Sequence, residues 1–256
     1  MKNVTAWLAL ALILGSAAQA ADKPATKVAR VYNDIVAPAD QQAYEAGVKS
    51  FNQCLQKHGF KYTWTAWSHE TGDTYSYSYT SAPMPWSGFD DMDAAGKACD
   101  ATLRSDVNPH LKSETSAFLQ TSPDMSHVAN VADPPPKLME VTFFRLRPGH
   151  EASESFAANA KKIAAAADKS KWPYYFQMAR VIDAGDGAPD FILISTSKSW
   201  AEFGADPDPD VWKMIEGVYG KTEATAIRKA INDDIKEVTA HVDSYNADLT
   251  YTAPEK

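Results

Sequence analysis

Two short runs hold the side chains of this sequence best suited to chemistry. Met139-Glu140-Val141-Thr142-Phe143-Phe144 sets a carboxylate, a hydroxyl and an aromatic ring at alternate positions. Ala29-Arg30-Val31-Tyr32-Asn33-Asp34 does the same with a guanidinium, a phenol and a second carboxylate. Alternate residues of a strand share a face, so Glu140 would stand with Thr142, and Arg30 with Tyr32. If those faces line an apolar chamber, Glu140 becomes a base with a raised pKa, and Arg30 or Tyr32 steadies the anion it creates. The same residues suit a structural use equally well, with Glu140 and Arg30 paired to each other or turned to water.

A second alternating set is aromatic. Tyr75, Tyr77 and Tyr79 follow Tyr62, Trp64 and Trp67, and with Thr142 they could line a cavity for a small apolar or aromatic ligand. They could as well be cross-strand packing pairs. The opposite parity, Thr74, Ser76, Ser78 and Thr80, is all small hydroxyls and reads either as a wet face or as the polar wall of a pocket. Among six histidines, His58 suits a helix C-terminus and His150 a helix start, while His69, His110, His127 and His241 have no partner at ligand spacing. No metal and no cofactor are therefore expected, although haem would need only one histidine. Asp206-Pro-Asp208-Pro-Asp210 lacks the glycine and glutamate of a calcium loop and predicts a cap, with Asp208 as N-cap and Pro209 first in the helix. No Ser-His-Asp order, phosphate loop or dinucleotide fingerprint occurs.

The elements that would position these residues occur twice. Ser81-Ala-Pro-Met-Pro-Trp86-Ser-Gly-Phe89 and Ser195-Thr-Ser-Lys-Ser-Trp200-Ala-Glu-Phe203 share Ser, Trp and Phe at one spacing, and Val31 and Pro38 match Val141 and Pro148. This predicts a tandem duplication, with repeat one over residues 27–131, a proline-rich linker over 132–136 and repeat two over 137–256. In repeat one the pattern predicts a strand over 28–36 and a helix carrying Tyr44, Val48, Phe51 and Leu55. Strands over 61–68 and 74–81 follow, then a helix over 87–105, a helical segment to about residue 120, and a short strand over 125–131. Repeat two predicts a strand over 138–147 and a helix carrying Phe156, Ala160, Ile163 and Ala167. Strands over 174–183 and 190–197 come next, then a long helix over 208–242 and a last strand over 245–251.

Each half reads β-α-β-β-α-β, the ferredoxin-like order, whose helices cover only one sheet face. A bare apolar sheet needs a partner. The predicted fold class is thus α+β: two tandem ferredoxin-like repeats packed sheet to sheet as an intramolecular barrel, the chain being a monomer. Cys54 and Cys99 fall on neighbouring helices with their thiols toward one core, which predicts a disulfide, two free buried cysteines being the alternative. Residues 1–20 have the lysine, apolar run and Ala-Gln-Ala ending of a signal peptide, followed by a polar leader over 21–26. The expected location is periplasmic or secreted, and no run is long enough to span a membrane. The formal net charge of −8 comes without a clustered basic face, which sets nucleic-acid binding aside.

With this order of elements the chain resembles the dimeric α+β barrel superfamily. Met139-Glu-Val-Thr-Phe-Phe-Arg-Leu-Arg-Pro148-Gly149 looks like the opening strand of its NIPSNAP-type members, and Trp200-Ala-Glu-Phe203 like their Trp-led helix start. Repeat one departs from that pattern, having Arg30 in place of the Glu and Ala39 after Pro38. The resemblance implies a central cavity and not one reaction, since members include cofactor-free monooxygenases, haem enzymes, isomerases and non-catalytic binders. Three functions follow as expectations. The first is binding of a small apolar or aromatic molecule without catalysis. The second is a cofactor-free monooxygenase or isomerase using Glu140, and the third a scaffold with a filled barrel.

Overall fold

The computed structural model describes residues 26–129 and 136–254. The expected signal peptide, nearly all of the leader and most of the proline-rich linker lie outside the described residues. The first half runs β1 (Lys27–Val36), α1 (Gln41–Lys57), β2 (Trp64–His69), β3 (Ser76–Ser81), β4 (Met84–Pro85), α2 (Ser87–Gly96), α3 (Asp100–Thr102) and β5 (Leu111–Thr121). The second runs β6 (Leu138–Leu146), α4 (His150–Ser170), β7 (Gln177–Asp183), β8 (Phe191–Ser197), α5 (Trp200–Phe203), α6 (Val211–Tyr219), α7 (Lys221–Asp234) and β9 (Ile235–Tyr245).

Within the first half the strands lie in the order β2-β3-β1-β5, and within the second β7-β8-β6-β9, every pairing antiparallel. The two sheets then join at both edges. β2 meets β9 through Trp67 with Tyr245 and His69 with Asp243, and β5 meets β7 through Leu119 with Val181 and Thr121 with Ala179. The result is a closed eight-stranded α+β barrel with helices outside; the two-residue β4 only pairs with the first residues of β1, continuing the run of β3 along it. Closure removes the exposed sheet edges that would otherwise invite pairing with other chains.

Alternation along each strand separates two kinds of core. Val36, Tyr77 and Tyr79 face outward and pack under α1 against Tyr44 and Val48, while Phe144 and Leu146 pack on Phe156 and Ala160 of α4. Residues of the other parity fill the barrel: Trp67, Leu119, Met139, Val141, Ala179 and Ile192 form one buried cluster, with Val31, Phe143 and Tyr245 against it. Both helices keep the apolar spacing that their sequence predicts. Gly47 in α1 is dictated by a close approach, because a Cβ there would sit 1.9 Å from the Asp106 carbonyl oxygen.

Several expected elements differ. The helix expected over 87–105 is α2 followed by short, irregular helical turns through residue 110, and where a helical segment to about residue 120 was expected the chain forms the last strand of the first half, Leu111–Thr121. The strand expected over 125–131 is reduced to an isolated antiparallel bridge of His127 to Phe176, after a single turn over 123–125; residues 130 and 131 fall outside the described chain. The long helix expected over 208–242 is two helices and then β9, so Ile235, Val238 and Val242 are strand residues, and Tyr251 makes only an isolated bridge to Trp64. The cap of α6 is Asp210, not Asp208: its carboxylate accepts from the Trp212 and Lys213 amides, while the Pro209 carbonyl accepts from the Trp172 indole as part of the preceding loop. Cys54 and Cys99 are disulfide-bonded, joining α1 to the turn after α2. Among the described residues no helix is long and apolar enough to cross a membrane.

Candidate functional site

The residues expected to converge inside the barrel are turned outward. Glu140 and Thr142 share the parity of Phe144 and Leu146, on the helix-facing side of β6. Arg30 and Tyr32 share the parity of Val28 and Val36 on β1, where the guanidinium lies 4.6 Å from the Tyr32 ring and 5.3 Å from that of Phe118. Since three strands separate β1 from β6 in either direction around the ring, outward-facing Glu140 and Arg30 diverge. The interior arrangement of carboxylate, guanidinium and phenol is therefore not formed, nor is an ion pair of Glu140 with Arg30.

Beneath α1 the outward residues of β1 and β3 build a polar network instead. Tyr44 donates to Asp34 Oδ2 at 2.5 Å and contacts the Tyr79 hydroxyl at 2.8 Å, while Tyr77 donates to Glu45 and accepts from Gln41. Burial pushes the Asp34 carboxyl up to about 7, with Glu114 on the adjoining strand acting in the same direction and the Tyr44 hydrogen bond opposing. Burial likewise raises Tyr44, Tyr77, Tyr79 and Tyr32, the last against the opposing charge of Arg30. Tyr77 and Tyr79 thus pack in the helix layer and do not line a cavity inside the barrel. Tyr75 lies just before β3 and is exposed. Trp64 faces the helix layer, stacking on Phe51 and meeting Tyr251, whereas Trp67 points into the barrel.

The hydroxyl face of β3 turns inward and becomes a polar wall. The Ser78 hydroxyl donates to Asn33 Oδ1 at 3.2 Å, and His69 Nε2 lies 2.9 Å from Ser78 Oγ. On the neighbouring strand His241, Asp243 and Tyr245 share the inward face. Register pairs Asp243 with His69 across the β2–β9 joint and with Met139 on β6. His69 Nε2 is 3.7 Å from Asp243 Oδ1 and His241 Nε2 is 3.3 Å from Oδ2. The two imidazoles are stacked at 4.2 Å, and Phe143 lies 5.1 Å from the His241 ring.

Asp243 is completely buried, and neither carboxylate oxygen accepts a hydrogen bond. An ionised carboxylate in that state costs several kcal/mol unless a cation or a donor compensates it. Exposure is graded across the trio: the side chain of Asp243 is 1 % exposed, that of His69 7 % and that of His241 20 %, so His241 is the member in contact with solvent. Burial holds the His69 ring below its usual range, with Asp243 opposing. Arg145 and Glu237, a register pair two rungs beyond His241, form a 2.8 Å ion pair at the rim. Two surface grooves lie away from the trio, one of about 680 Å³ between Trp86, Gln120 and Ile182 and another beside α1.

A strand reading of residues 235–245 would have put His241, Asp243 and Tyr245 on one face; the helical reading set them apart. Two other histidines serve structure. His127 is buried between Asp168, at 2.5 Å, and the Trp172 carbonyl, at 2.8 Å, and His58 caps α1. His58 also lies near Cys54 and Cys99, whose sulfurs are engaged in their disulfide.

No protein-family model and no characterised protein matches the sequence. Solved structures do match. An anthrone oxidase-like protein has a TM-score of 0.57 at 12% identity, over 90% of this chain and 95% of its own. A candidate monooxygenase from Lactobacillus acidophilus NCFM has 0.53 at 12%, over 89% and 97%. A chlorite dismutase variant from Candidatus Nitrospira defluvii has 0.52 at 10%, over 87% and 92%. The fold is that of the dimeric α+β barrels, here closed within one chain.

Proposed function

We propose that this protein is an oxidoreductase of the oxygenase type, acting on a small aromatic molecule at the mouth of its barrel. The observation that carries this reading is Asp243, buried and without hydrogen bonds between two imidazoles, one of which is partly exposed. Natural cores do not keep such a group for stability, and functional sites do. The surroundings suit the substrate class: Phe143, Trp67 and Tyr245 give an apolar floor, while Asn33, Ser78 and the histidines give a few polar atoms for orientation. Because the deeper barrel is packed by its own side chains, the ligand sits at the mouth and not in a through-going cavity. Structures of the same fold include an anthrone oxidase-like protein and a candidate monooxygenase, which favours oxidation over a purely binding or scaffold role.

The same reading includes three points of descent and location. The halves derive from a duplicated NIPSNAP-like unit, supported by their shared strand order and by Trp86–Phe89 and Trp200–Phe203 ring pairs, 5.9 and 5.7 Å apart, after β3 and β8. Export is supported by the disulfide. A monomer is supported by closure of the barrel within one chain. The test is oxygen uptake by the purified protein with a hydroxylated anthrone and with hydroquinones. Uptake that disappears in His241→Ala and survives in His110→Ala is expected; wild-type protein giving no uptake above buffer with any of these compounds removes the assignment.

A further inference from the structure

We infer that His69, His241 and Asp243 form a mononuclear binding site for a divalent first-row transition metal. The inference rests on the reading of the barrel mouth as the reacting site and names the group it holds. Two imidazole nitrogens and one carboxylate are the donor set of non-haem iron centres that leave open positions for substrate and oxygen, and a set that zinc and cobalt also accept. One ligand atom from each residue lies within 4.8 Å of the others, so small side-chain rotations bring all three onto one ion. Asp243 stands across from His69 in the β2–β9 register, and His241 is the next inward residue on β9, so the three project from adjacent backbone positions of a closed sheet. Such a frame leaves little for a ligand to organise.

The second, independent observation is the carboxylate itself. Asp243 is entirely buried, its two oxygens accept no hydrogen bond, and both face imidazole nitrogens. A dication supplies the missing compensation. Binding through His69 Nε2 exchanges that nitrogen's 2.9 Å contact with Ser78 Oγ for the ion, leaving Ser78 its hydrogen bond to Asn33, and Phe143 packs against His241. The other grouping of metal-ligand types, Cys54, His58 and Cys99, is closed by the disulfide.

The test uses chelator-treated, full-length protein titrated with Co(II), read by the visible bands of bound cobalt and by metal analysis, then repeated with Zn(II) in competition. One cobalt per chain is expected. Asp243→Asn and His241→Gln should each weaken uptake at least about tenfold, the loss that even outer-shell substitutions produce, and His58→Ala should not change it. Near-UV circular dichroism checks folding; Asp243→Asn keeps the side-chain shape while removing the buried charge, and His241→Gln changes a partly exposed position. Absence of saturable uptake, or uptake unchanged in both variants, overturns the site. The two readings fail separately: cobalt uptake with no oxidase activity leaves the metal site and removes the reaction, whereas oxidase activity that resists exhaustive chelation does the reverse.

Discussion

Replacing Asp34 by asparagine should change how the protein's stability depends on pH, and by an amount the structure sets. Asp34 is buried beside Tyr44, Tyr79 and the Glu114 position, and its carboxyl is raised from 3.8 to about 7. In that interval the native state keeps a proton that the unfolded chain has released, so stability falls as pH rises. The contribution of this group is fully present below about pH 4 and lost above about pH 7. At 1.36 kcal/mol per unit the whole effect is about 4 kcal/mol, of which about 3 kcal/mol lies between pH 5 and pH 8. Asparagine cannot ionise, yet its carbonyl can still accept the Tyr44 hydroxyl. Urea unfolding followed by tryptophan fluorescence at pH 5, 6, 7 and 8 should show Asp34→Asn gaining about 3 kcal/mol on the parent across that range at constant m-value. Parallel profiles for the two proteins would refute the argument, because every other titrating group is common to both.

Gly47→Ala should destabilise the protein by about 1–3 kcal/mol, although alanine is the better helix former, because the new Cβ would lie 1.9 Å from the Asp106 carbonyl oxygen. Chemical unfolding measures this, and a gain in stability would show that the turn over residues 103–107 yields freely. Removing the disulfide by Cys54→Ser with Cys99→Ser should cost about 4 kcal/mol, from a separation of 45 residues in the chain-entropy estimate. A loss below about 1 kcal/mol in urea without reductant would contradict it.

The barrel was legible in the sequence because six of its eight strands carry apolar residues on at least one face and sit beside helices with a clean 3.6-residue period. Leu111–Thr121 and Ile235–Tyr245 escaped for a physical reason. Residues 112–116 and 236–240 are exposed on both faces, so no alternation marks them, while Ile227, Ile231, Ile235, Val238 and Val242 keep helical spacing through the end of α7 into β9. That one misreading hid the candidate site, since His241 and Asp243 share a face only in a strand. The inward hydroxyls of β3 were visible as an anomaly, but alternation alone does not say which parity faces the barrel. The outward turn of Glu140, Arg30 and Tyr32 is decided by α1 and α4 claiming the face that holds Val36, Phe144 and Leu146.

The rungs that join β2 to β9 have a further consequence. His69 belongs to the first half of the chain, whereas His241 and Asp243 belong to the second. Neither half holds a complete donor set, so whatever occupies the trio acts as a clasp across the seam, tying its own retention to the integrity of the cylinder. Loosening that seam would eject the occupant, and filling the trio would fasten the two halves together.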